Sequence, residues 1–108
     1  MNDRLKLHSD LVSIMGAGNV YYQPPQNIRM SYPCCVYSLD RINDYSANNK
    51  AYFFINQYSV TLITKNPEDP AVDELLKMPY TSFDHHFVVD NLHHFEFVVK
   101  RKRNTSIE

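Results

Sequence analysis

Tyr58-Ser59-Val60-Thr61-Leu62-Ile63 decides the fold class. Tyr58, Val60 and Leu62 alternate with Ser59 and Thr61, the period-two pattern of a strand with one buried face. Read outward, the apolar and β-branched character runs from Ala51 to Thr64. Upstream, Cys34 to Ile42 reads as a second strand, with Cys35, Tyr37 and Leu39 sharing one face. Between them Asn43-Asp44-Tyr45-Ser46-Ala47-Asn48-Asn49-Lys50 is rich in turn formers and reads as a polar loop closing a long hairpin. It is longer than a tight turn requires, which points to a role beyond connection.

The flanks read as helices and a second hairpin. Asp3 to Met15 carries apolar residues at Leu7, Leu11 and Ile14, with Leu5, Val12 and Met15 widening the stripe. Asn2 or Asp3 suits its N-cap, and Gly16-Ala17-Gly18, holding both glycines of the chain, suits its stop. Val20-Tyr21-Tyr22 is a short extended piece, followed by Gln23-Pro24-Pro25, where two prolines exclude helix and central strand. Asp69-Pro70 opens a short helix over Ala71 to Met78, with Val72, Leu75 and Leu76 inward and Pro79 as its end. Ser82 to Val89 and His93 to Lys100 form the second hairpin about Asp90-Asn91. Phe95, Phe97 and Val99 share its inner face. These elements predict an α+β domain of two layers. An antiparallel sheet of four to five strands is covered by the N-terminal helix and a short second helix. Residues 1–100 form this one domain, and 101–108 a basic, flexible tail.

Composition fits that picture. The chain has 108 residues, 44% of them hydrophobic, with eight Tyr, six Phe and no Trp, so β-forming aromatics are plentiful. The net charge is -1, without the basic surplus of a dedicated nucleic-acid binder. The charge is uneven, because Lys100-Arg101-Lys102-Arg103 sits on an otherwise acidic body. This run is a candidate for phosphate contact. Adjacent Cys34 and Cys35 read as reduced strand residues. No window approaches the ~20 apolar residues of a membrane span, so no membrane partner is expected.

The residues suggest little catalytic chemistry. His85, His86, His93 and His94 flank one turn, and Asp84 or Glu96 could join them around a metal. Adjacent strand residues point to opposite faces, however, so half of the set should not converge. A Cys–His nucleophilic pair has no supporting environment. The chain holds no glycine-rich phosphate loop and no zinc-protease or nucleophile-elbow motif. The expectation is a non-enzymatic chain without catalytic residues, metal or cofactor.

The stretch Tyr32-Pro33-Cys34-Cys35-Val36-Tyr37-Ser38-Leu39-Asp40-Arg41-Ile42 resembles a corresponding strand in tail terminator, or tail-completion, proteins of long-tailed phages. The likeness extends to Tyr58–Ile63, Asp69-Pro70, Ser82-Phe83-Asp84 and Asp90-Asn91-Leu92, and covers roughly residues 3 to 100. It rests on length, element order and these stretches, because the family has no catalytic signature. The resemblance implies a hexameric ring on the tail that stops tube growth and offers a docking face for the head. The partners would be copies of the chain, the tail tube protein and a neck or head-completion protein, with DNA passing through the ring. The location would be the virion tail or neck, assembled in host cytoplasm. The expected assembly surfaces are the 43–50 loop (Asn43, Asp44, Tyr45, Asn48, Asn49, Lys50) and the 23–30 segment (Pro24, Pro25, Arg29). A head-closure protein, a small nucleic-acid-binding module and a metal-dependent enzyme stay open as alternatives.

Overall fold

The alternation at 58–63 becomes the central strand of a five-stranded sheet in the computed structural model, which describes residues 3–16, 19–24, 30–47 and 50–103. In chain order the elements are α1 (Asp3–Met15), β1 (Val20–Tyr22), β2 (Cys34–Ala47), β3 (Lys50–Thr64), α2 (Ala71–Leu76), β4 (Thr81–Val89) and β5 (Leu92–Lys102). The spatial order is β1-β2-β3-β5-β4. The α+β class and the two covering helices are therefore as read from the sequence.

Three expectations change. The sheet is mixed, because β1 pairs with β2 in parallel, Val20 opposite Cys35. A tight hairpin would force antiparallel pairing, whereas the connection through positions 23–33 is long enough to return the chain to the same end. Second, the polar stretch 43–47 is strand. Asn43, Asp44 and Tyr45 pair with Ile55, Phe54 and Phe53, and only positions 48 and 49 separate the two strands. Cross-strand partners outweigh weak β-propensity here: Asn43 Nδ2 donates to Gln57 Oε1, and Tyr45 stacks on Phe53. Third, β5 continues through Arg101 and Lys102, so the basic run up to Lys102 is strand and not tail.

The core lies between the helices and one face of the sheet. Leu7 and Leu11 of α1 and Leu75 of α2 are fully buried against Cys35, Tyr37, Tyr58, Val60, Leu62, Phe97 and Val99. Each such side chain contributes on the order of 1.5–3 kcal/mol by leaving water. Leu5 and Leu76, expected inward, are exposed, because they fall off the inner stripe of their helices. Tyr37 is buried beneath α1, where its hydroxyl lies 2.7 Å from His8 Nδ1. Burial pushes its phenol above the ordinary value, and Arg4 partly offsets this.

The stop of α1 and the start of α2 follow their sequence signals, whereas α2 ends at Leu76, two residues before the expected Met78. Gly16 takes φ +92° and its N–H donates to the Val12 carbonyl, which closes α1. Gly18 lies outside the described residues, as does Asn2. Asp69 Oδ1 accepts from the Ala71 N–H at the start of α2, while its Oδ2 accepts from buried Thr64 Oγ1. That carboxylate therefore ties α2 to the end of β3. Asp90 and Asn91 both have positive φ, the geometry of a two-residue primed turn between β4 and β5.

Strand length sets the shape. At about 3.3 Å per residue, strands this long span most of the molecule's 50 Å long axis. The helices pack on one face, and among the described residues nothing covers the opposite face of the sheet. Among the described residues, no helix is long and apolar enough to cross a membrane.

Candidate functional site

Strand alternation divides the basic run between two environments. Arg101 and Arg103 point to the helix side. Arg101 Nη1 lies 3.0 Å from Asp10 Oδ2 on α1, and Arg103 Nη1 donates to Asn56 Oδ1. Arg101 is mostly buried and its Nε has no hydrogen-bond partner. These two cations are engaged in holding the fold. Lys100 and Lys102 point to the open face, opposite Gln57 and Ile55.

That placement brings the lysines beside aromatics that the sequence left apart. Tyr45, Phe53, Ile55, Tyr80, Lys100 and Lys102 line an open groove of about 380 Å³. Tyr45 and Phe53 stack with ring centroids 5.0 Å apart and planes 13° apart. Lys102 Nζ lies 5.5 Å from the Phe53 ring centre. Tyr80 closes one side, and its carbonyl accepts from the Lys100 N–H at 3.0 Å. Sequence reading missed this juxtaposition, because a loop over 43–50 gives Tyr45 no face. Phe95 and Phe97, the aromatics weighed beside the basic run, pack into the core instead.

Of the expected assembly residues, Asn43, Asp44 and Tyr45 sit on the distal half of β2. Its outer edge runs beyond β1, whose pairing ends at Tyr37. Lys50 begins β3. Pro24 is half-buried just after β1. Asn48, Asn49, Pro25 and Arg29 lie outside the described residues.

Among the described residues the other free edge is β4, which the sequence reading did not single out. All but the first of its nine residues are exposed, including Phe83, Phe87, Val88 and Val89. A bulge at Asp84 gives it an unusual facing pattern. Phe83 opposes Phe97 and His85 opposes Glu96, leaving Asp84 as the extra residue. Phe83 and His86 consequently share the helix side, while His85 turns to the open side.

The histidines divide in the same way. His86 and His93 stack on the helix side, with Nε2 and Nδ1 2.9 Å apart. His94 stacks on Phe87 on the open side, where His85 meets Glu96 at 3.1 Å and Asp84 at 3.4 Å through its two different nitrogens. Ligand atoms of Asp84, His85 and Glu96 lie within 4.8 Å of one another. The imidazole already bridges both carboxylates, and a carboxylate–imidazole–carboxylate chain accounts for this closeness. The four histidines do not converge.

Cys34 and Cys35 are both free and buried. Burial pushes the Cys34 thiol up to about 11 and raises the Cys35 thiol further. Neither is placed or poised as a nucleophile, since nucleophilic cysteines need a lowered value. Comparison with known proteins finds no family model that matches the chain and no similar curated protein.

Proposed function

We propose that this chain is a structural assembly protein that joins to copies of itself through its sheet edges, and that it serves as a tail-terminator ring in a long-tailed phage. One observation carries the self-association: β4 is a nine-residue free edge whose exposed side chains include four large apolar ones. Monomeric proteins usually blunt such an edge; here the single bulge at Asp84 blunts it only in part, and the apolar 87–89 stretch beyond it is a template for strand pairing. The second edge, the distal half of β2, is a different surface. Pairing one edge with the other is heterologous, and a heterologous contact closes into a ring when its rotation allows. The phage role rests on the sequence resemblance. In it the ring caps the tail tube, stops its growth and receives the neck or head, with tail tube protein and neck protein as partners and no catalysis.

Particles assembled without the chain test the role by electron microscopy. Overlong tails are the expected result. Tails of normal length that fail to join heads move the chain to a head-closure role. Normal tails that join heads normally overturn the reading. The edge itself is tested by Val88→Lys, which places a charge at an exposed apolar position of β4, opposite His93 on the helix side. Sedimentation should show weakened association with an unchanged circular dichroism spectrum.

A further inference from the structure

We propose that the open-face groove of Tyr45, Phe53, Ile55, Tyr80, Lys100 and Lys102 binds single-stranded nucleic acid, with bases on its rings and phosphates on its lysines. The site goes beyond self-association: it uses no residue of β4, and from the distal half of β2 it uses only the Tyr45 ring on the sheet face, not the strand's outer edge.

Tyr80 is the first reason. It is 81% exposed, so its ring does nothing for the core. It also holds φ +58°, a conformation that a bulky side chain rarely adopts. Strain at a residue that adds no packing marks a site where the side chain's position matters. The hydrogen bond from the Lys100 N–H to its carbonyl fixes Tyr80 at the mouth of the groove.

Charge is the second reason. The chain as a whole is slightly acidic, yet the groove lining holds two lysines and no carboxylate among the described residues. Arg41 lies on the same face, opposite Gln57, with Asp40 at 3.7 Å as its neighbour. The local field therefore favours an anion, while the floor favours a flat apolar group. A nucleotide joins those two properties in one repeating unit.

Geometry separates the class of anion. A peptide added to a sheet gains most from main-chain hydrogen bonds at an edge. This groove lies on the face of the β2·β3·β5 ladder, where those groups are already paired. What remains are ring faces and ammonium groups. A duplex keeps its base faces stacked inside and cannot present them to the rings, whereas a single strand can.

Fluorescence anisotropy on the full chain tests this with labelled oligo-dT and oligo-U, a duplex of equal length, and polyglutamate. At least one single strand should bind, and both the duplex and polyglutamate should bind more weakly. Tyr80→Gly removes the ring and relaxes the positive φ. It should weaken single-strand binding about 5-fold or more, the low end of the effect of one stacking residue, with little change in melting temperature. The pair Lys100→Gln and Lys102→Gln should flatten the log–log salt slope by about 1.4, at ~0.7 per phosphate. Absence of single-strand binding at low salt overturns the proposal. So does equal binding of polyglutamate, or binding that both sets of substitutions leave unchanged. Anisotropy reads this groove alone, so its failure leaves the assembly reading standing.

Discussion

Arg101 shows how much one alternation decides. Its neighbours Lys100 and Lys102 face solvent on the open side, while its own guanidinium reaches under α1 to Asp10. With the Nε buried and unpartnered, that carboxylate is the main compensation for a largely desolvated cation. Asp10→Ala is expected to cost about 1.5–3 kcal/mol in urea unfolding, the range for a lost charged hydrogen bond. Arg101→Met should cost less, because an apolar side chain of similar length needs no compensation. The basic character of 100–103 was plain in the sequence. Its division into two structural and two available cations was not, because that depends on knowing the run is strand. The cysteines make a second residue-scale case. Their neutral thiols titrate above the ordinary value, Cys34 at about 11. In the unfolded chain they ionise earlier. Their contribution to stability is therefore whole below the unfolded value and is lost as pH rises toward the folded one. The urea midpoint should fall between about pH 9 and 11, and thiol reagents near pH 8 should react only after unfolding. Rapid native-state labelling would contradict the burial.

At the scale of elements, the hairpins were legible from alternation and from Asp90-Asn91, and α1 from its stripe and Gly16. The distal half of β2 was not. Asn43, Asp44 and Ser46 are weak strand formers taken alone, and only register places Asn43 beside Gln57 and Tyr45 beside Phe53. Pairing is a property of two segments, and a single segment does not display it. The same limit hid the Asp84 bulge. Because Phe83 and His85 already oppose consecutive partners on β5, deleting Asp84 should leave the register of both flanks intact. The deletion variant is expected to fold, with its melting temperature within a few degrees of the parent and with cross-strand contacts between positions 86 and 95 kept in NMR. A register slip that reverses His86 and Phe95 would contradict this. Since bulges twist free edges away from partners, the deletion should also raise self-association.

Taken whole, the molecule has a helix-covered centre and two bare extremities. The β2–β3 hairpin projects beyond α1 and α2, and the β4–β5 turn leaves at the other end. Few buried contacts secure these ends, so they should open at lower free energy than the centre. Amide exchange is expected to be fastest at 43–47 and 86–91 and slowest at 58–62 and 97–99. Uniform protection in a monomer would contradict that gradient. Protection of the 84–89 amides that rises with concentration would instead locate the contact between copies. The alternation at 58–62 already marked one face of β3 as buried and the other as polar. Which outward residues of neighbouring strands meet on that open face was not legible, since that depends on register.

The bare face gives each strand two separable vocabularies. Tyr58, Val60, Phe97 and Val99 face the helices and secure the fold, whereas Gln57, Ser59, Lys100 and Lys102 alternate with them on the solvent side. The outward set can be rewritten without disturbing the inward one. A library randomised at Arg41, Ser59, Lys100 and Lys102, with the Asn43–Gln57 pair kept, should therefore yield mostly folded members with altered ligand preference, which makes the domain a natural scaffold for selecting new binders.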